Sequence, residues 1–145
     1  MAKDFKGLSK SLEKIATRIV TNSDKRKRVT ALAIDQNAVQ ETPVDEGRAR
    51  SNWQVSTGSP ISAEIEAYSK GLAGSTGAAN TQAALSQAQG ALSKSVPDKS
   101  VYIVNNPPYI VPLNEGHSAQ VNPGWIERSI ARGVEAGRKI KITQN

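Results

Sequence analysis

Apolar positions at the start of the chain recur at helical spacing. In "FKGLSKSLEKIATRIVTN", Leu8, Leu12, Ile15 and Ile19 stand four, three and four apart, which predicts one apolar stripe on a helix. Lys6, Lys10, Glu13, Lys14 and Arg18 fall mostly off that stripe. "TNSD" then offers Ser23 or Asp24 as the N-cap of a second run, "KRKRVTALAIDQNAVQ", with Val29, Leu32, Ala33, Gln36 and Val39 along one side. The pattern leaves open one kinked helix or two. Pro43 ends the run, because the residue before a proline is pushed out of the α region.

The period then changes. "DEG" reads as a turn, and "RSNWQVS" alternates Trp53 and Val55 with Asn52 and Gln54, which predicts a half-buried strand. "ISAEIEAYS" fits strand or helix equally. Residues 69–100 are rich in Ala, Gly, Ser and Gln, and predict a flexible insertion: a glycine-rich mobile loop over 70–77, then a weakly amphipathic helix in "NTQAALSQAQGALSK" with Ala84, Leu85, Ala88 and Leu92 on one side. "SVYIVNN" predicts a good strand, and "PYIVPLNEG" an edge strand or a short strand and turn, confined by Pro107 and Pro108. In "NPGWIERSIARGVEAGRK" a last helix is capped by Asn122, has Pro123 in its first turn, buries Trp125 or Ile126, Ile130 and Val134, and ends at Gly137. "KIKIT" offers a closing strand.

The resulting fold class is α+β: a small antiparallel sheet packed against N-terminal and C-terminal helices, with an Ala/Gly/Gln-rich inserted loop-helix. The 145 residues suit a single domain, divided into an N-terminal helical region (1–42), the insertion (69–100) and a strand-and-helix segment (101–145).

Composition thins the expected core. Hydrophobic residues make up 37%, and the aromatics are Phe5, Trp53, Tyr68, Tyr102, Tyr109 and Trp125. A core with so few large side chains predicts that burial against neighbouring subunits completes the stability. The absence of cysteine excludes disulfides and thiolate chemistry. No apolar run approaches the ~20 residues of a membrane span, so the expectation is a soluble protein made in a cytoplasm.

The net charge of +6 leans toward the N-terminal third: residues 1–50 hold eleven Lys/Arg against seven Asp/Glu, and residues 51–145 hold eight against six. Lys25, Arg26, Lys27 and Arg28 form the sharpest cluster. They fit contact with DNA or an acidic partner, or simply a solvated helix start, since consecutive helical positions point around the helix rather than along one face. Arg48 and Arg50 resemble an anion clamp, but pairing with Asp45, Glu46 or a neighbour's carboxylate is the preferred account.

Catalytic constellations do not emerge. A zinc site needs several His or Cys at short spacing, and His117 is the sole histidine. Glu115 and His117 have no evident third ligand. Ser118 adjoins His117, but sequence neighbours seldom face each other as a nucleophile and base must. No nucleotide-binding glycine motif occurs. The expectation is no enzyme and no cofactor, with His117 a bystander.

Two blocks carry a family resemblance. "TPVDEGRARSNWQVS", followed after the Ala/Gly/Gln-rich segment by "VYIVNNPPYIVPLNEGHSAQVNPGWIERSI", resembles the tail-completion (tail-terminator, or neck) proteins of tailed bacteriophages. That family tends to carry a TPVDTGR-A-R-SNW block and an NNLPYI…LN.G.S.QAP.GF block. Here Glu46 stands where threonine is usual, Pro107 replaces an apolar residue, and Trp125 takes the aromatic position. The resemblance implies a structural virion protein at the head–tail junction. It would form a homo-oligomeric ring, usually a hexamer, that completes the tail end and joins the tail tube to the head-completion or connector protein. The genome would pass through its lumen without sequence-specific contact. On this reading Arg48, Arg50, Trp53, Tyr109, Leu113, Asn114, Glu115 and Trp125 are expected at subunit or partner interfaces. A head-side connector or minor tail protein is the alternative within the class, and a basic nucleic-acid-binding module the alternative outside it.

Overall fold

The computed structural model of the protein describes residues 4–143. It begins with α1, one α-helix over Phe5–Glu41, whose N-cap Asp4 accepts a hydrogen bond from the Gly7 amide at 2.7 Å. The two runs seen in sequence are therefore continuous. Neither Ser23 nor Asp24 starts a new helix, because Asp24 is engaged one turn ahead: its carboxylate is buried and pairs with Lys27 and Arg28 on the same helix. Thr42 leaves the α region at ψ 124, as the following proline requires.

After α1, Gly47 at φ 86 opens a single helical turn, α2 (Arg48–Ser51), which replaces the first half of the expected strand. Strand β1 (Gln54–Thr57) follows, and pairs antiparallel with β2 (Val101–Val104) in the register Gln54↔Val104 to Thr57↔Val101. Trp53 and Val55 are buried, but so are Asn52 and Gln54, because residues 61–66 cross that face as an extended strap. The strap is neither strand nor helix. The Asn52 amide clasps both Ile65 backbone groups, and Gln54 and Asn106 hold the Ala63 carbonyl.

Helix α3 (Gly77–Ser93) buries Ala84, Ala88 and Leu92 against β1 and α1, so residues 77–93 are a core element rather than an insertion. Ala31, Val55, Ala88 and Leu92 form one core cluster; Ala38, Val39, Trp53, Ala84, Ile110 and Trp125 form another, and Ile103 packs against both.

"PYIVPLNEG" is not a strand. It forms α4 (Ile110–Asn114), in which Pro112 sits within the first turn, where a missing amide costs nothing. The last helix, α5 (Trp125–Arg138), starts after Gly124 at φ 75 and continues one residue past Gly137. Its cap is not Asn122: the Asn114 side-chain oxygen accepts the Ile126 amide at 2.9 Å from outside the helix. Its buried face is Trp125, Ser129, Gly133 and Gly137, not the larger Ile130, which is 45% exposed. Small residues are needed there because α1 lies antiparallel against them. A Cβ on Gly133 would come within 2.5 Å of the Ile34 amide nitrogen, and one on Gly137 would strike Thr30. For the same reason α1 buries Ala31, Asp35, Ala38 and Val39 rather than the Val29–Leu32–Gln36 side. "KIKIT" adds no strand; its Ile142 carbonyl accepts from the Asn22 side chain at 3.0 Å.

Among the described residues the result is an α+β fold of five helices around a two-stranded antiparallel sheet. The first four to five turns of α1 have no place in that body. From Phe5 to Thr21 every residue except Gly7 is exposed, and the stripe of Leu8, Leu12, Ile15 and Ile19 faces water. No helix among the described residues is long and apolar enough to cross a membrane.

Candidate functional site

The two blocks singled out in the sequence converge at the C-terminal end of α1. Residues 43–49, the start of α4 and residues 117–120 enclose a groove of 340 Å³, lined by Glu46, Arg48, Tyr109, Leu113 and His117 among others. A second groove shares Glu46 and Arg48 with it and continues past Glu66 to Leu72.

Side-chain amides stand in for backbone at its wall and elsewhere in the body. The Gln120 side chain pairs with both the amide (3.0 Å) and the carbonyl (3.1 Å) of Val44. Gln87 does the same for Val55 at 2.9 and 2.8 Å. Buried Asn80 accepts from the Ser51 hydroxyl and the Ser69 amide and donates to the Ser69 carbonyl and Thr76 hydroxyl, fixing α2 to α3 and the strap's end. The Gln87 pair satisfies the Val55 groups that a two-stranded sheet leaves without a ladder partner, and the Gln120 and Asn80 bonds satisfy backbone groups outside the strands. Sequence reasoning missed these residues. Their signal was polarity at positions flanked by small or apolar neighbours, which composition reads as surface.

Arg48 sits in the groove and pairs with Glu64 at 2.5 Å, not with Asp45 or Glu46. It anchors the strap while leaving its head at the surface. Tyr109 is half-buried beside it. Burial pushes the Tyr109 hydroxyl above its ordinary pKa; Arg48 opposes this, while Glu64, Glu46 and Glu66 reinforce it. Those acids and Lys70, which pairs with Glu66 at 3.4 Å, give this end a mixed but acidic rim. Leu113 lines the groove, and Glu115 is exposed.

Other expected contact residues are turned inward. Arg50 donates to the Gln40 and Thr42 carbonyls at 3.1 and 2.7 Å, and to the Gly77 carbonyl and Thr81 hydroxyl. It thus caps the end of α1 and ties it to α3, and burial lowers its pKa. Trp53 and Trp125 are buried core residues with no surface to offer a partner. Asn114 bonds both Glu127 carboxylate oxygens, holding that carboxyl below its ordinary pKa, and serves the α4–α5 junction.

The basic cluster divides. The Lys27 ammonium donates to the Val96 and Lys99 carbonyls at 2.7 and 2.8 Å, and Arg28 to the Ser95 carbonyl at 3.1 Å, so both close the α3–β2 loop. Burial would raise the Asp24 carboxyl between them, but their hydrogen bonds and charges outweigh it and lower its pKa. Lys25 is exposed and Arg26 half-buried, and these two are the members of the cluster that the loop does not engage.

His117 lines the mouth of the groove, its amide donating to the Pro112 carbonyl at 3.1 Å. Among the described residues no group of three His, Cys, Asp or Glu is placed to hold a metal ion. Comparison with known protein families, curated proteins and solved structures finds no match in any of the three.

Proposed function

We propose that the protein is a structural virion component of a bacteriophage neck, working by self-assembly and docking. It forms a ring that completes the tail end and joins it to the head connector, with DNA passing through the lumen. The identity of the structure it serves comes from the resemblance of its two sequence blocks. The observation that carries assembly is the amphipathic overhang of α1, whose apolar stripe lies outside the monomer's core. A helix of that length is marginal alone in water and gains its stability from packing. A head-side connector or minor tail protein would use the same surface.

The nucleic-acid-binding alternative has weaker support, since Lys27 and Arg28 bond the protein's own backbone. Negative-stain microscopy of the protein alone and mixed with tail tubes is the test. Closed rings, free or at tube ends, are the expected result; monomers in both samples by light scattering would refute the reading. Duplex binding by the monomer with a steep salt dependence would favour the alternative.

A further inference from the structure

The exposed face of α1 and the groove at its other end complement each other. On the overhang, Phe5, Leu8, Leu12, Ile15 and Ile19 recur at three, four, three and four, the spacing that keeps one face turned to a partner over several turns. Over Phe5–Thr17 the charges are Lys6, Lys10 and Lys14 against Glu13, a surplus of two positive. The groove offers the converse: apolar walls from Tyr109, Leu113 and Leu72, the last 72% exposed. Around them Asp45, Glu46, Glu64 and Glu66 face Arg48 and Lys70, a surplus of two negative.

The two surfaces cannot meet within one molecule. Between Asp24 and Thr42 the unbroken helix spans about 27 Å at 1.5 Å per residue, with the overhang beyond one end and the groove beside the other. We infer that the overhang of one copy docks, apolar face inward and lysines toward the acidic rim, into the Glu46–Leu72–Tyr109 groove of the next copy. Such a contact uses different surfaces on the two partners, so it repeats head to tail and closes a ring when the rotation allows. The inference rests on the assembly reading above and names the contact that would build it.

Pairing of two overhangs is the rival arrangement, and complementation separates them. The overhang variant carries Leu12→Asp with Ile15→Asp, and the groove variant Glu46→Lys with Glu66→Lys; all four sites are exposed, so both variants should keep wild-type circular dichroism and melting. By analytical ultracentrifugation each variant alone should need at least roughly tenfold more protein than wild type to assemble, because like charges now oppose the contact. Mixed, each supplies the surface the other lacks, and hetero-association at concentrations where neither variant assembles alone is expected.

A groove variant that assembles like wild type, or a mixture that stays monomeric, overturns the inference. Rings that persist in both variants overturn this contact and leave the ring reading standing. Wild type that remains monomeric alone and with tail tubes overturns both.

Discussion

Trp53 and Trp125 meet edge to face, their ring centroids 6.2 Å apart at 79°. One comes from the "RSNW" block and the other from the start of α5, 72 residues later. Each indole nitrogen is also satisfied, Trp53 donating to the Thr42 hydroxyl at 2.7 Å and Trp125 to the Leu113 carbonyl at 3.2 Å. The pair therefore binds the end of α1, α4 and α5 into one unit. Replacing either by alanine is expected to cost about 3–5 kcal/mol, which urea denaturation would measure. Trp125→Phe, which keeps a ring but strands the Leu113 carbonyl, should cost less.

Glycines in helices are usually weak points, and here two should behave in the opposite way. Gly133→Ala and Gly137→Ala push a methyl group into α1 at Ile34 and Thr30, so both should lower the melting temperature despite alanine's higher helix propensity. Gly90→Ala is the contrast. Its Cβ would meet nothing within 4 Å in the last turn of α3, and a gain of about 0.5 kcal/mol is expected.

Asp35 should give the protein a stability that falls with rising pH. It is fully buried in α1, neither carboxylate oxygen finds a hydrogen-bond partner among the described residues, and burial raises its pKa to about 7. The unfolded chain releases this proton near 3.8, so between those two values the folded state holds the extra proton. Stability from this group should fall as pH rises from about 4 to about 7 and then level off. Asp35→Asn should flatten that slope and stabilise the protein at alkaline pH, by up to on the order of 4 kcal/mol. Denaturation midpoints measured from pH 4 to pH 8.5 check both; an unchanged slope in the variant would contradict the assignment.

Gln87→Leu should be costly for its size. It leaves the Val55 amide and carbonyl without their partners, an expected loss of about 1–3 kcal/mol. Hydrogen exchange at the Val55 amide should accelerate more than at neighbouring strand amides.

What the sequence made legible was whatever rests on period and punctuation. Val101–Val104 alternate β-branched and aromatic residues and do form a strand, Pro43 does stop α1, and Ala84, Ala88 and Leu92 do line the buried side of α3. The α5 face misled because two stripes share one spacing. Ile126, Ile130 and Val134 recur as regularly as Ser129, Gly133 and Gly137, and only the closeness of α1 selects the smaller set. Capping of α5 by Asn114 crosses a loop, so no local pattern announces it. Within the candidate site, Arg48, Tyr109 and Leu113 line a surface groove, and exposed charge beside an apolar residue is a local signal that sequence can carry. Arg50, Trp53 and Trp125 turn inward instead, because whether a large side chain points in or out depends on what packs over it.

The amide clasp of Gln87 also limits how molecules can join. A strand with a free edge invites a second chain to extend the sheet, which is the common route to aggregation. Here the Val55 groups that point away from β2 are occupied by a side chain from α3. Sheet extension across β1 is therefore closed at Val55, where an incoming strand would find no free backbone group.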